Sequence, residues 1–112
     1  MWLSSFLSKY KDSEIPSKGN VTATEGEKMQ VDTSTPLEDV RLVAPYGIKY
    51  VPPLGEDALV VPFDGGEVCV GVMSKTAHNL KRGELMLYSQ GGASIILKND
   101  GSVLINGKKV EI

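Results

Sequence analysis

The closing third of the chain sets the tightest constraint on what this sequence can become. Between residues 81 and 112 the apolar residues come in short runs: Leu85-Met86-Leu87-Tyr88, Ser94-Ile95-Ile96-Leu97, Val103-Leu104-Ile105 and Val110-Glu111-Ile112. The interruptions, Ser89-Gln90-Gly91-Gly92, Asn99-Asp100-Gly101 and Asn106-Gly107, are turn sequences, the last a strong hairpin signal. Side chains alternate across a strand, so Leu85/Leu87, Ile95/Leu97, Val103/Ile105 and Val110/Ile112 share one face. Ile96 and Leu104 then point the other way, and they are apolar too. A ribbon this narrow cannot wrap around itself to hide both faces. Each exposed Ile or Leu forgoes roughly 1.5–3 kcal/mol of transfer free energy. Residues 81–112 are therefore expected to be stable as part of a homo-oligomer closed by symmetry, with folding and assembly linked. A β-meander packed back on residues 18–73 is the alternative.

The chain has 112 residues, enough for one domain or a small domain with an extension. Residues 1–17 are expected to form an amphipathic N-terminal arm, with Leu3, Phe6, Leu7 and Tyr10 at helical spacing before Ile15-Pro16 ends the pattern. From Lys18 the period becomes two. Val21 and Ala23 alternate with Thr22 and Thr24, Glu25-Gly26-Glu27 reads as a tight turn, and Met29 and Val31 alternate with Gln30 and Asp32. Pro36 opens a third extended stretch in which Val40, Leu42 and Ala44 share a face. Tyr46-Gly47-Ile48 and Val51-Pro52-Pro53-Leu54-Gly55 suit neither helix nor ladder and read as an ordered connection. Ala58 to Phe63 and Glu67 to Met73 are dense in β-formers around Asp64-Gly65-Gly66, so they read as a hairpin with Val68, Val70 and Val72 on one face and Cys69, Gly71 and Met73 on the other. Five short strands with no helical stripe predict a small closed or nearly closed barrel over residues 18–80, including a linker that ends it.

Charge and reactive residues argue against catalysis. The formal charge is −2, divided into 7 basic and 11 acidic residues up to position 80 and 5 basic and 3 acidic beyond it. That balance speaks against nucleic acid as the main partner. The acidic residues Glu25, Glu27, Asp57, Asp64 and Asp100 fall in turns, where solvation is the ordinary role, so no acid–base pair is expected. Cys69 and His78 are the single cysteine and histidine. Cys69 sits inside an apolar strand, where an inert buried thiol is expected rather than a nucleophile, and one of each cannot supply a zinc site. Gly65-Gly66 and Gly91-Gly92 lie between strands, not before a helix, and so are not phosphate loops. Lys81, Arg82, Lys98, Lys108 and Lys109 read as surface charge. No apolar run approaches a membrane span, and the first ten residues lack the basic start and cleavage pattern of a signal peptide.

Several stretches, in order, carry a resemblance. They are Val40-Arg41-Leu42-Val43-Ala44-Pro45-Tyr46-Gly47, then Pro52-Pro53-Leu54-Gly55-Glu56-Asp57-Ala58, then Lys81-Arg82-Gly83-Glu84, Leu87-Tyr88-Ser89 and Ser94-Ile95-Ile96-Leu97-Lys98-Asn99-Asp100-Gly101. From Lys18 onward the sequence resembles the family of Mu-like phage baseplate spike proteins. The resemblance implies an all-β chain: a five-stranded OB-type barrel, then an intertwined trimeric triangular β-helix as the shaft over residues 81–112. It implies a structural, non-enzymatic role in the virion, assembled in the host cytoplasm. Three chains would make one spike at the end of a contractile tail tube, with tube and baseplate hub proteins as partners and transient contact with the host membrane. By position, Leu85, Leu87, Ile95, Leu97, Val103, Ile105, Val110 and Ile112 would face the trimer axis. Gly83, Gly92, Gly101 and Gly107 would mark the corners, and Asn99 and Asp100 would close one by side-chain-to-backbone bonds. Some spikes of the family bind iron at the apex through His-x-His. No His-x-His occurs here, so neither metal nor other cofactor is expected, and the shaft would be stubby, capped by another protein, or without its tip. The rival expectations are a monomeric OB-type binding or adaptor module and a tail-associated lytic enzyme.

Overall fold

A computed structural model describes residues 15–111. The arm expected over residues 1–17 therefore lies, up to residue 14, outside the described residues, as does Ile112. Every regular element among the described residues is a β-strand. The chain divides into two compact units after Ser74, so the strand-free residues 75–80 go with the second.

The first unit is a closed barrel of five strands: β1 (Ser17–Glu25), β2 (Lys28–Asp32), β3 (Pro36–Leu42), β4 (Asp57–Phe63) and β5 (Gly66–Val72). Around the barrel the order is β1-β2-β3-β5-β4, with β4 closing against β1. All pairs are antiparallel except β3 with β5. Closure leaves no free sheet edge in this unit. The β4–β5 turn is tight because Asp64 and Gly65 both take positive φ, 52° and 78°, which matches the strand twist. The core is Val21, Met29, Val31, Val40, Ala58, Val60 and Cys69, with Leu37, Leu42 and Val72 packed against it. These side chains are small and non-aromatic, as a narrow five-stranded interior requires.

Three irregularities decide which residues face inward, and two of them correct the simple alternation. In β1 the register slips between Val21 and Ala23, so Thr22 is the extra residue. Val21 is buried, whereas Ala23 is turned out to solvent. In β5 the extra residue is Val70, since Leu59 pairs with Gly71 but Val60 already pairs with Cys69. Cys69 and Val72 therefore face the core, and Val70 is exposed instead of sharing a face with Val72. The cause is the same in both strands, because an inserted residue reverses the parity of everything beyond it. In β3 the slip lies between Leu37 and Val40, with Asp39 at φ 56°, and both of those apolar residues still reach the core.

The long connection from residue 43 to 56 contains no strand, as expected, and it is fastened at both ends. The Val43 N–H donates to the Cys69 carbonyl at 2.8 Å. At the other end the Gly55 N–H donates to the Val21 carbonyl (2.8 Å), the Val21 N–H to the Glu56 carbonyl (2.9 Å), and Asn20 Nδ2 to the Gly55 carbonyl (2.9 Å).

The second unit is an antiparallel meander: β6 (Leu85–Tyr88), β7 (Ser94–Leu97), β8 (Val103–Ile105) and β9 (Lys108–Lys109), in that order. Its strands have two to four residues and no register slip. The turns fall where the sequence placed glycine. Gly83, Gly92, Gly101 and Gly107 have φ of 91°, 98°, 88° and 81°.

Candidate assembly surface

The register of the meander assembles one continuous apolar face. Leu85 lies opposite Leu97, which lies opposite Val103, and the Val110 N–H bonds to the Val103 carbonyl at 2.9 Å, completing the first rung. Leu87, Ile95 and Ile105 form the second rung, which ends at Lys108. Seven of the eight residues expected to face a trimer axis are thus on one side of the sheet, the eighth being Ile112. The face is uncovered in the single chain: Leu85, Leu87, Ile95, Leu97, Ile105 and Val110 keep between 37% and 48% of their surface exposed, and Val103 is half-buried. The opposite face carries a third apolar row, Met86-Ile96-Leu104, ending at Lys109, and its apolar members are half-buried. Both faces are therefore apolar, as the alternation in the sequence implies.

A cluster around Glu84 holds the turns of this unit in place. The Glu84 side chain is only 3% exposed. Its Oε1 accepts from the Lys81 N–H (3.0 Å) and from Lys98 Nζ (3.4 Å), while Oε2 accepts from the Asn99 N–H (3.0 Å). Asn99 Nδ2 in turn donates to the Arg82 carbonyl at 2.8 Å. The turn that enters β6 is thus tied to the turn that leaves β7. Gly83 fits between them because it has a positive φ and because a Cβ there would meet Asn99 Oδ1 at 2.9 Å. Asp100 Oδ1 accepts from the Ser102 N–H (2.9 Å) and hydroxyl (2.6 Å), which closes the β7–β8 turn. Asn99 and Asp100 make the side-chain-to-backbone bonds that the resemblance implied, whereas the central part of Glu84 was not foreseen. The sequence shows it only as the end of Lys81-Arg82-Gly83-Glu84, and one of its partners lies 15 positions away.

These bonds have a pH consequence. The Lys81 N–H, then the Asn99 N–H, then the Lys98 ammonium hold the Glu84 carboxyl below its ordinary 4.5, with burial opposing them. The Ser102 hydroxyl and N–H do the same for Asp100. A carboxylate with a depressed folded-state pKa stabilises the fold above its unfolded pKa, and that contribution disappears as pH falls through the folded value. Thermal melting of the second unit is thus expected to fall steadily below about pH 4.5. Glu84→Gln should lower the melting temperature at neutral pH and flatten that acid slope. Melts followed by circular dichroism between about pH 7 and pH 3 check both, and an unchanged slope in the variant would remove Glu84 from this account.

Neither Cys69 nor His78 belongs to the strands of this surface. Cys69 is wholly buried in the barrel, its Sγ donating to the Gly71 carbonyl at 3.4 Å, and burial pushes its thiol pKa up, away from thiolate reactivity. His78 is exposed in a strand-free segment, where its Nδ1 accepts from the Leu80 N–H at 3.2 Å. Among the described residues no three His, Cys, Asp or Glu side chains cluster closely enough to hold a metal ion. No model of a known family matches the chain, and no curated protein matches it.

Proposed function

We propose that three copies of this chain form a non-catalytic β-structured spike, or plug, at the end of a contractile phage-like tail. One observation carries the reading: Leu85, Leu87, Ile95, Leu97 and Ile105 lie in register on one side of a meander that leaves them about half exposed. Covering what remains exposed is worth on the order of 1 kcal/mol per side chain, and a threefold axis covers all of them at once. In an intertwined triangular shaft the positive-φ glycines Gly83, Gly92, Gly101 and Gly107 would mark the corners. The strand order β1-β2-β3-β5-β4 supports reading the first unit as an OB-type barrel, which would be the collar of the spike. The resemblance from Lys18 onward supplies the setting: a virion baseplate assembled in the host cytoplasm, neighbouring tube and hub proteins and brief contact with the host envelope. The work is mechanical, because paired strands around apolar seams resist local opening.

Sedimentation of the full chain in dilute solution tests this. The expected mass is three times the 12.1 kDa of one chain. A folded species at the single-chain mass would overturn the spike and favour a binding module built on the barrel alone.

A further inference from the structure

The outer face of the β4–β5 hairpin is apolar and uncovered among the described residues. Leu59, Val61 and Phe63 alternate outward along β4, and Val68 on β5 stands opposite Val61. Leu59, Phe63 and the extruded Val70 keep 46%, 65% and 40% of their surface exposed, and Val61 and Val68 are half-buried. Leu59 and Phe63 lie opposite Gly71 and Gly66, where an added Cβ would meet nothing closer than 4.0 Å. Side chains arriving from elsewhere therefore have room beside both. Lys18, opposite Leu59, is already paired with Asp57 at 3.6 Å. A contiguous apolar sheet face of this kind marks a contact.

The chain's own first residues arrive beside it. β1 runs antiparallel to β4, with Ser17 opposite Val60 and Lys18 opposite Leu59, so the chain that precedes β1 comes in from the Phe63 side. Upstream, Leu3, Phe6, Leu7 and Tyr10 recur at helical spacing. As a helix, that stripe from Leu3 to Tyr10 is about 10 Å long. The row from Leu59 to Phe63 is about 14 Å long. Residues 11–16 reach up to about 20 Å when extended, enough to lay the stripe on the row. A helix this short is marginal alone in water and needs its apolar side covered. So short a tether also gives the arm an effective concentration on the order of millimolar at its own barrel, which favours that barrel over a second copy.

The other surface near the point of entry suits the stripe less well. Ile15 lines an opening of about 320 Å³ at the barrel end, but Ser17, Thr33, Ser34, Thr35 and Glu67 make most of its wall polar. Apolar side chains gain by leaving water for apolar surface, and the hairpin face offers more of it.

We propose that residues 3–10 lie as a helical arm across the outer β4–β5 face of their own barrel, with Leu3, Phe6, Leu7 and Tyr10 against Leu59, Val61, Phe63 and Val70. This goes beyond the spike reading and does not depend on it: the arm completes the barrel of each chain whether or not three chains meet at the ribbon.

The test uses the full chain with the photo-cross-linking residue benzoylphenylalanine in place of Phe6, one bulky aromatic for another. Irradiation should leave the protein at single-chain mass on a denaturing gel, with peptide mapping joining position 6 to residues 57–72. Adding Phe63→Lys, an exposed change that leaves the barrel interior alone, should cut this internal attachment about tenfold. Tyr46→Lys, at an exposed aromatic outside the face, should leave it unchanged. Attachment to residues 57–72 only in covalent dimers would place the arm on a second copy and overturn the proposal. Attachment at residues 33–37 would place it at the barrel end, and no attachment would leave the face bare; either result overturns it too. The native sedimentation mass, read on the same sample, decides the spike separately.

Discussion

Ile105→Asp is expected to convert the assembly into single chains. Ile105 sits in the second rung of the apolar face, between Ile95 and Lys108, and is 46% exposed in one chain. In a single chain the new carboxylate would be solvated, so the meander itself loses little. At a threefold axis three carboxylates would be gathered in an apolar seam, where each costs several kcal/mol to desolvate and each repels the others. The change also deletes the apolar contact, worth roughly 1.5–3 kcal/mol when fully buried. The sedimentation mass should fall to that of one chain at concentrations where the unaltered protein is fully assembled. Gln90→Asp adds the same charge in the exposed β6–β7 turn and should leave the mass unchanged. An Ile105→Asp protein that keeps its full assembled mass would show that this face does not meet the axis.

The second large effect concerns the barrel. A Cβ at Gly19 would lie 2.5 Å from Val31 Cγ1, 2.8 Å from Thr33 Cγ2 and 3.0 Å from the Asp32 carbonyl oxygen. Val31 is fully buried and β-branched, so it cannot swing aside, and the carbonyl belongs to the backbone of β2. Gly19→Val forces β1 and β2 apart where β1 also pairs with β4. Overpacking of this kind costs about 1–3 kcal/mol, and each kcal/mol lowers the melting temperature of a small domain by roughly 4–8 °C. Gly71→Ala is the control: a Cβ there meets nothing within 4 Å, and the melt should hardly move. Equal melting losses in the two variants would mean that the space at Gly19 does not set the cost.

Strand positions were legible because β-former runs and turn residues alternate so regularly. Asp64-Gly65 and Asn106-Gly107 each close a hairpin with two residues in positive φ. The faces of the meander were legible too, since its strands are too short to hold a bulge. Barrel faces were less so. Val68, Val70 and Val72 read as an unbroken alternation, yet Val70 is extruded and the parity reverses. Gly71 beside it was the one local hint, as a glycine inside a strand often marks such a bulge. The parallel β3–β5 pairing that closes the barrel joins segments with no period in common, so alternation along either strand cannot show it. The part Glu84 plays escaped notice for a related reason: two of the three groups that hold its carboxylate are backbone N–H groups, which leave no mark in side-chain identity.

Among the described residues the barrel core holds no aromatic ring, but it holds one thiol, Cys69. It is the chain's sole sulfhydryl and is sealed from solvent, so a thiol reagent can react only when the strands part. Its labelling rate is a built-in clock for barrel opening, readable in the assembled particle without adding a probe.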